Sequence, residues 1–456
     1  MIVLADGPKK SVRELAAQIL RKVEAQKAYA DLLLDQALKT QALNDPDRAL
    51  LTELVYGTLR WRGKIDAQLV HYLRRPLADI DPVIGNLLRV AFYQLLFLDK
   101  IPDYAAVNEA VASAKTHGGA KAAGFTNAVL RNFLRQKDRG DDLKETDDSA
   151  AAIAAAYSHP EWLVRRWLDE FGPEAAKSLM QANNQKAPLV LRINTLKTTR
   201  KEYLQRMSNA GIRASATERS PQAVCVESAG AVEKLPGFAE GLFQVQGEAS
   251  QLVGYLLSPS PGERILDACA APGGKSTHIA ELMKDKGELV AIDNSPGGVE
   301  KIRENTARLG LKSLRSLCAD ASKELNDAIA GLYDRILVDA PCSGFGTLRG
   351  HPEIKWHRNA TDIQRLSRLQ SKILHRVAGY LKPGGVLVYA TCTLMGEENE
   401  EVVDTFLAQR KSFELEDAPR YLPREAQDMV RGKVFLALPH RDNTDGFFAA
   451  RIRKIF

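Results

Sequence analysis

The chain has little that would tie it to a secreted, metal-bound or membrane class. Its 456 residues include five cysteines, odd in number, confined to Cys225–Cys392 and without a single CxxC spacing. That pattern argues against both a disulfide framework and a thiolate zinc site, so no metal is expected. No apolar run approaches the roughly 18 residues a membrane helix needs; the longest is the Ala-rich stretch 150–157. The opening MIVLADGPKK lacks the basic-then-apolar order of a secretion signal. The 32 Gly and 20 Pro follow no period, which excludes collagen-like and low-complexity classes. What is present is ordinary: 45% hydrophobic and 26% charged residues, enough for buried cores and too apolar for wholesale disorder. The expectation is a cytoplasmic, soluble, monomeric protein with no membrane contact. Its length suggests about three domains.

Charge is unevenly spread. Residues 1–140 hold 21 Lys and Arg against 15 Asp and Glu, a net +6 that equals the formal excess of the whole chain. A basic module joined to a neutral remainder suggests an anionic partner, nucleic acid first, although a solvated charged surface explains the numbers equally well.

Residues 1–139 read as helices throughout. Ser11 and Glu14 have capping-box spacing ahead of Val12, Leu15, Ile19, Leu20 and Val23 at helical intervals. Further helices are predicted over 48–59, 65–73, 83–98, 106–115 and 125–135, punctuated by Pro46, Pro76, Pro82 and Pro102. The stretch 140–158 opens densely charged and reads as a linker. Residues 159–261 read as a small α+β domain. Helices are predicted over 161–171, 174–183 and 200–210 (capped by Thr199 and Glu202), with strands over 189–193, 224–226 and 242–245. That element order suits an RNA-binding module, though the aromatic RNP1 pattern is absent. From 262 to 456, strands (264–267, 288–293, 316–319, 335–339, 386–391, 446–453) alternate with helices (276–283, 297–309, 363–381, 397–409). Such alternation implies an α/β, doubly wound parallel sheet with ligands at the carboxyl ends of its strands.

The chemistry gathers at those ends. Strand 264–267 ends in Asp267 and runs into ACAAPGGKS (268–276), where Gly273 and Gly274 let the backbone approach a ligand and the next helix offers free N–H groups. It is no Walker loop, because Cys269 stands where the first glycine belongs, and GxGxxG is absent. A nucleoside carrying little phosphate fits best. Asp293, Asp320 and Asp339 close three further strands; Asp293, ending the second, is placed to accept from ribose hydroxyls. Any one acid is as often a helix cap, but four at successive strand ends are hard to dismiss. Cys342 in DAPCSG and Cys392 in YATCT also lie where this fold puts its ligands, whereas Cys225, Cys269 and Cys318 read as inert small hydrophobes. A thiolate is the nucleophile that chemistry at C5 of a pyrimidine requires, since C5 becomes reactive only after addition at C6. The residues alone leave open which cysteine attacks.

The strings DACAAPGGKS (267–276), DAPCSG (339–344), YATCT (389–393) and DGFFAARI (445–452), together with Asp293, resemble the S-adenosylmethionine-dependent RNA (cytosine-5) methyltransferases. LRINTLK (191–197) and FQVQGEASQLV (243–253) resemble the segment before that family's catalytic domain. ELVYGTLRWR (53–62), 89–111 and FTNAVLRNFLR (125–135) resemble the helical NusB-like RNA-binding domain fused to its bacterial small-subunit members. The resemblance implies a Rossmann-like methyltransferase domain that uses S-adenosyl-L-methionine to methylate C5 of a cytosine in 16S rRNA, free or within a partly assembled small subunit. It also implies roles. Cys269, Ala270, Ala271, Pro272, Gly273, Gly274 and Lys275 would form the methionine-binding turn. Asp293 would hold the ribose and Asp320 would sit near the adenine. Cys392 would attack C6, Asp339 would bond the base edge, Cys342 would assist release, and Lys275 would point towards the base. Arg60, Arg62, Arg74, Arg75, Arg131 and Arg135 are candidates for rRNA phosphates. Two rival readings stand beside it: methylation of an exocyclic amine, and an RNA-binding factor that no longer turns over.

Overall fold

The structure, a computed structural model, describes residues 11–137, 148–227, 230–327, 329 and 331–456. Contacts group them into two units, 1–185 with 348–357 and 186–347 with 358–456.

The first unit is helical. Val12–Gln26, Asp45–Val70 and Pro82–Phe97 begin at Ser11, Asn44 and Asp81, whose side chains accept from the first-turn amides. At Ser11 only this half of the expected capping box forms among the described bonds. Pro82–Phe97 is buried at every position from Val83 to Leu95, so the other helices pack around it. The helices predicted over 48–59 and 65–73 are one, because no proline separates them and Gly63 stays within the helix. Those over 106–115 and 125–135 share the span Asp103–Lys137, broken where Gly118 and Gly119 leave helical geometry (φ −130° and +70°). Of the linker expected over 140–158, residues 140–147 lie outside the described residues. Ala150–Tyr157 is a helix, capped by Ser149, since alanine favours helix over linker. Helices Glu161–Phe171 and Pro173–Asn183 belong to this unit too.

Residues 348–357 complete the unit from far along the chain. Lys355 is buried, and its ammonium donates to the carbonyls of Arg60 and Ser158 (2.8 Å each) and to Asn184 Oδ1 (3.1 Å). Trp356 Nε1 donates to the Leu59 carbonyl at 2.9 Å, and Arg60 donates to the Arg349 carbonyl at 3.2 Å. Glu353 is buried and accepts from the Ala30 amide at 3.2 Å.

The second unit carries two sheets. Strands β1 (Leu189–Ile193), β2 (Ala214–Ala216), β3 (Ala223–Val226) and β4 (Phe243–Val245) form an antiparallel sheet in the order β2-β3-β1-β4. Helix Arg200–Asn209 opens with the complete Thr199–Glu202 capping box and packs Tyr203 and Met207 against Leu191, Val224 and Phe243.

The larger sheet contains β5 (Arg264–Asp267), β6 (Glu288–Asp293), β7 (Leu314–Cys318), β8 (Tyr333–Asp339), β9 (Leu381–Thr391), β10 (Phe413–Leu415), β11 (Val430–Arg431), β12 (Val434–Ala437) and β13 (Phe447–Lys454). Its order is β11-β12-β13-β9-β8-β5-β6-β7, with β10 on β13. Five strands, β9-β8-β5-β6-β7, run parallel, as expected. The wholly parallel sheet is not what forms: β13 is antiparallel to β9, and β10, β11 and β12 extend that edge. From β5 the chain moves one way through β6 to β7, and β8 and β9 lie on the other side. The crevice at the carboxyl ends of β5 and β8 is therefore the topological switch point, where such sheets bind ligands.

Candidate active site

Asp267 ends β5 and is fully buried. Its Oδ2 accepts from Ser276 Oγ at 2.6 Å, while Oδ1 is buried without a hydrogen-bond partner among the described residues. Burial, with help from the Asp339 charge, pushes this carboxyl up to about 7 against the pull of Ser276. The turn behind it depends on Gly273. Its φ is +98°, and a Cβ there would lie 3.2 Å from Ile302 Cα. Helix Gly274–Leu282 follows, its N-terminal amides pointing back at the crevice.

Asp293 ends β6 and bridges two loops, its Oδ2 accepting from the Ala271 amide (3.0 Å) and Oδ1 from the Ser295 amide (2.9 Å). Asp320 lies two residues beyond β7, where Ser322, through hydroxyl and amide, holds its carboxyl below the usual range. Asp267, Asp339, Asp293 and Asp320 all act on the Cys269 thiol. Burial first, and these four acids next, hold it well above an ordinary thiol, consistent with an inert residue. The S-adenosylmethionine site implied by the turn fits these residues: a buried acceptor with spare capacity, a glycine turn, and acids at the next two strand ends.

Beyond β8 and β9 the two remaining cysteines meet. Asp339 pairs with Ala390 across these strands, and the Ala340 amide donates to the Ala390 carbonyl at 2.8 Å. The loops leave side by side, with Cys342 Sγ 3.3 Å from Cys392 Sγ. Gly346 permits this approach, since a Cβ there would stand 2.1 Å from the Gly446 carbonyl oxygen and 2.8 Å from that of Cys392. The bond to Cys392, then burial, keep the Cys342 thiol well above its usual range. Lys275 Nζ lies 2.6 Å from Asp339 Oδ2 and 4.8 Å from the centre of the Phe447 ring. Burial works against its ammonium, but Asp339, Cys392 and Asp267 outweigh it and raise the pKa.

The residues singled out in the sequence thus converge on the carboxyl ends of five adjacent strands. Sequence reasoning missed three polar supports. Arg192, alone among the apolar residues of β1, is fully buried and grips helix Gly274–Leu282 through Glu281 (2.8 Å), Thr277 Oγ1 (2.9 Å) and the Gly274 carbonyl (2.6 Å). Glu398 and Asn399, in GEENEEVV, are buried beneath the cysteine loops. A charged residue inside an apolar strand was the available signal for Arg192; nothing local marks the other two.

Two arginines proposed for phosphate contact are not free for it. Arg60 is buried inside the helical unit, and Arg62 bonds Glu24 at 2.9 Å and Asp66 at 3.6 Å. Helical periodicity gave no sign that both face inward. Arg74, Arg75 and Arg135 are exposed instead, lining with Lys121, Phe125 and Tyr72 a groove of about 1060 Å³.

Residues 254–453 match the family described as 16S rRNA methyltransferase RsmB/F, residues 10–135 the NusB family, and residues 159–233 the ferredoxin-like domain of RsmF/B-like methyltransferases. The probable ribosomal RNA small subunit methyltransferase B of Bacillus subtilis (strain 168) is 40% identical over 447 residues, covering 98% of this chain and 99% of that protein. The chain belongs to the 16S rRNA methyltransferase RsmB/F family. Another member, ribosomal RNA small subunit methyltransferase B of Vibrio vulnificus (strain YJ016), is 37% identical and covers 97% of this chain and 99% of its own. Among solved structures, PH0851 superposes on this RsmB/F member with a TM-score of 0.82 at 27% identity, covering 98% of this chain and 99% of that one. NSun6 from Pyrococcus horikoshii, solved with SFG, gives 0.58 at 25% identity and covers 65% of this chain and 98% of its own. The family assignment agrees with the NusB-like, small α+β and methyltransferase parts expected from the sequence, and the match over 159–233 describes the small part as ferredoxin-like.

Proposed function

We propose that the protein transfers a methyl group from S-adenosyl-L-methionine to C5 of a cytosine in 16S rRNA through a transient bond between Cys392 and C6. The observation that carries this reading is the thiol pair, 3.3 Å apart at the ends of adjacent strands and beside the Lys275–Asp339 pair. An amine methyltransferase has no use for two thiols. When bound, S-adenosylmethionine supplies an electrophilic methyl on a sulfonium; Asp293 would hold its ribose, Asp320 its adenine side, and the 269–275 turn with Asp267 its methionine end. The SFG-bound relative, SFG being an analogue of that donor, supports the choice.

The ammonium of Lys275 acts on Cys392 as well as on Asp339. A cation beside this sulfur favours its thiolate, and with it Cys392 as nucleophile. Addition of its sulfur to C6 shifts the C5–C6 electron pair towards C5, which then takes the methyl group. Asp339, bonding the base near N3 or the amine, and Lys275 stabilise the charge that develops. Loss of the C5 proton, assisted by Cys342, restores the double bond as the C6–S bond breaks. The target base must leave its stack or lie in single-stranded RNA to reach the crevice. Exposed Arg74, Arg75 and Arg135 would hold rRNA phosphates on the NusB-like part. Among the described residues no helix is long and apolar enough to cross a membrane. Work on ribosomal RNA suits the cytoplasm.

The test uses labelled S-adenosylmethionine and undermodified small-subunit rRNA. Cys392→Ala is expected to give neither methyl transfer nor denaturation-resistant protein–RNA adduct, and Cys342→Ala to trap adduct. Undiminished transfer by Cys392→Ala would sink the nucleophile assignment, and methyl on an amine would sink the C5 reading.

A further inference from the structure

The two cysteine loops share a buried polar floor. Glu398 closes the short 3-10 turn Gly396–Glu398, and Asn399 precedes helix Glu400–Gln409. The Glu398 side chain serves the Cys342 loop: Oε1 accepts from the Ser343 amide (2.9 Å) and from Gln370 Nε2 (2.8 Å), and Oε2 accepts from Ser343 Oγ. Gln370 Nε2 also donates to the Pro341 carbonyl at 3.0 Å, so both neighbours of Cys342 are tied to this carboxyl. Asn399 serves the Cys392 loop. Its Oδ1 accepts from Thr391 Oγ1 at 2.5 Å and its Nδ2 donates to the Thr393 carbonyl at 3.0 Å, clasping the residues on either side of Cys392. A 2.8 Å bond between Ser343 Oγ and Thr393 Oγ1 joins the two sets. Glu398, Asn399, Ser343, Thr391, Thr393 and Gln370 are all buried.

We propose that Glu398 and Asn399 are positioning residues for the two thiols, Glu398 setting Cys342 for release of the product and Asn399 setting Cys392 for attack. The proposal rests on the two-thiol reading above. Neither side chain bonds a sulfur among the described contacts; each acts by fixing both backbone neighbours of one cysteine. Because thiol geometry governs a reaction between atoms that must meet within a few tenths of an ångström, a shift of about 1 Å costs on the order of 100-fold in rate. The two adjacent residues should therefore fail in opposite ways. Glu398→Ala lets the Cys342 loop relax, so adduct forms and accumulates while turnover falls about 100-fold. Asn399→Ala lets the Cys392 loop relax, so adduct formation itself slows. Glu398→Gln keeps the shape and the Oε1 acceptor and should recover most of the turnover lost in Glu398→Ala.

The experiment measures trapped adduct and methyl product for full-length wild type, Glu398→Ala, Glu398→Gln, Asn399→Ala, Cys342→Ala and Cys392→Ala on undermodified small-subunit rRNA, with thermal melting of each. Ser343→Ala, which removes only a hydroxyl, stands in should Glu398→Ala not fold, and it should also raise the ratio of adduct to product. A purely structural role for Glu398 lowers adduct and product together and leaves their ratio unchanged; that result for Glu398→Ala and Ser343→Ala, no recovery in a folded Glu398→Gln, or adduct formation by Asn399→Ala that is as fast as wild type or slow only with a lowered melting temperature, overturns the proposal. If Cys342→Ala itself traps no adduct, the two-thiol reading falls and takes the proposal with it. If Cys342→Ala traps adduct and the Glu398 and Ser343 variants do not, only the positioning role fails.

Discussion

On the proposed reading of the donor site, Asp267 would couple donor binding to pH. In the free protein its carboxyl holds a proton up to about 7, whereas in the unfolded chain it would release it near 4. Folded protein thus binds more protons than unfolded protein between these values, and this group's contribution to stability declines as pH rises from about 4 to about 7. The ammonium of a ligand's amino-acid end, set against this carboxyl, favours the ionised form. We expect affinity for S-adenosylhomocysteine to strengthen as pH rises through about 7, with proton release visible by calorimetry in buffers of different ionisation enthalpy; Asp267→Asn should abolish the release. Lys275 offers a second residue-scale check. Its ammonium bonds Asp339 and acts on Cys392, so Lys275→Met should lower kcat about 100-fold or more, the cost of one aimed charge in a buried site. Single-turnover rates on rRNA would read it.

At the scale of elements, the Arg192 cluster joins β1 to the helix behind the glycine turn. Arg192 and Glu281 are both without exposure, and their pair is backed by Thr277, Gln246 and the Gly274 carbonyl. Replacing Arg192 by Met leaves the Glu281 carboxylate buried and uncompensated, a loss of about 3–5 kcal/mol that urea unfolding should detect. An Arg192→Met/Glu281→Leu double variant should recover much of that loss. What could be read beforehand follows the same logic of local against distant causes. The strand-end acids, the glycine turn and both cysteines were legible because each belongs to a short motif tied to one strand end. Thr199–Glu202 was legible because a capping box is local chemistry. Glu398, Asn399 and Arg192 were not, because their partners stand in other elements and only the fold brings them together. The antiparallel edge escaped for a similar reason. β10, β11 and β12 have two to four residues each, too few for a period to declare itself.

For the molecule as a whole, the basic excess of residues 1–140 predicts a salt-dependent grip on rRNA. The exposed arginines of the groove, not the inward-facing Arg60 and Arg62, should carry it. A triple Arg74→Ala/Arg75→Ala/Arg135→Ala variant should bind rRNA more weakly and with a shallower salt dependence. The slope of log K against log salt should shrink by roughly 0.7–0.9 for each phosphate that the variant no longer neutralises. An unchanged slope would remove these arginines from the interface.

The decapeptide Leu348–His357 sets an order of events during synthesis. The helices of residues 12–183 leave the ribosome with the carbonyls of Leu59, Arg60 and Ser158 lacking Trp356 and Lys355. Those donors are made only after the intervening stretch is translated, a wait on the order of ten seconds at about 5–20 residues per second. The nascent helical part therefore spends that interval incomplete, exposed to chaperones and to neighbouring chains. A fragment ending at residue 185 should reproduce this waiting state, loosely packed on its own and tightened when a peptide of residues 348–357 is added back.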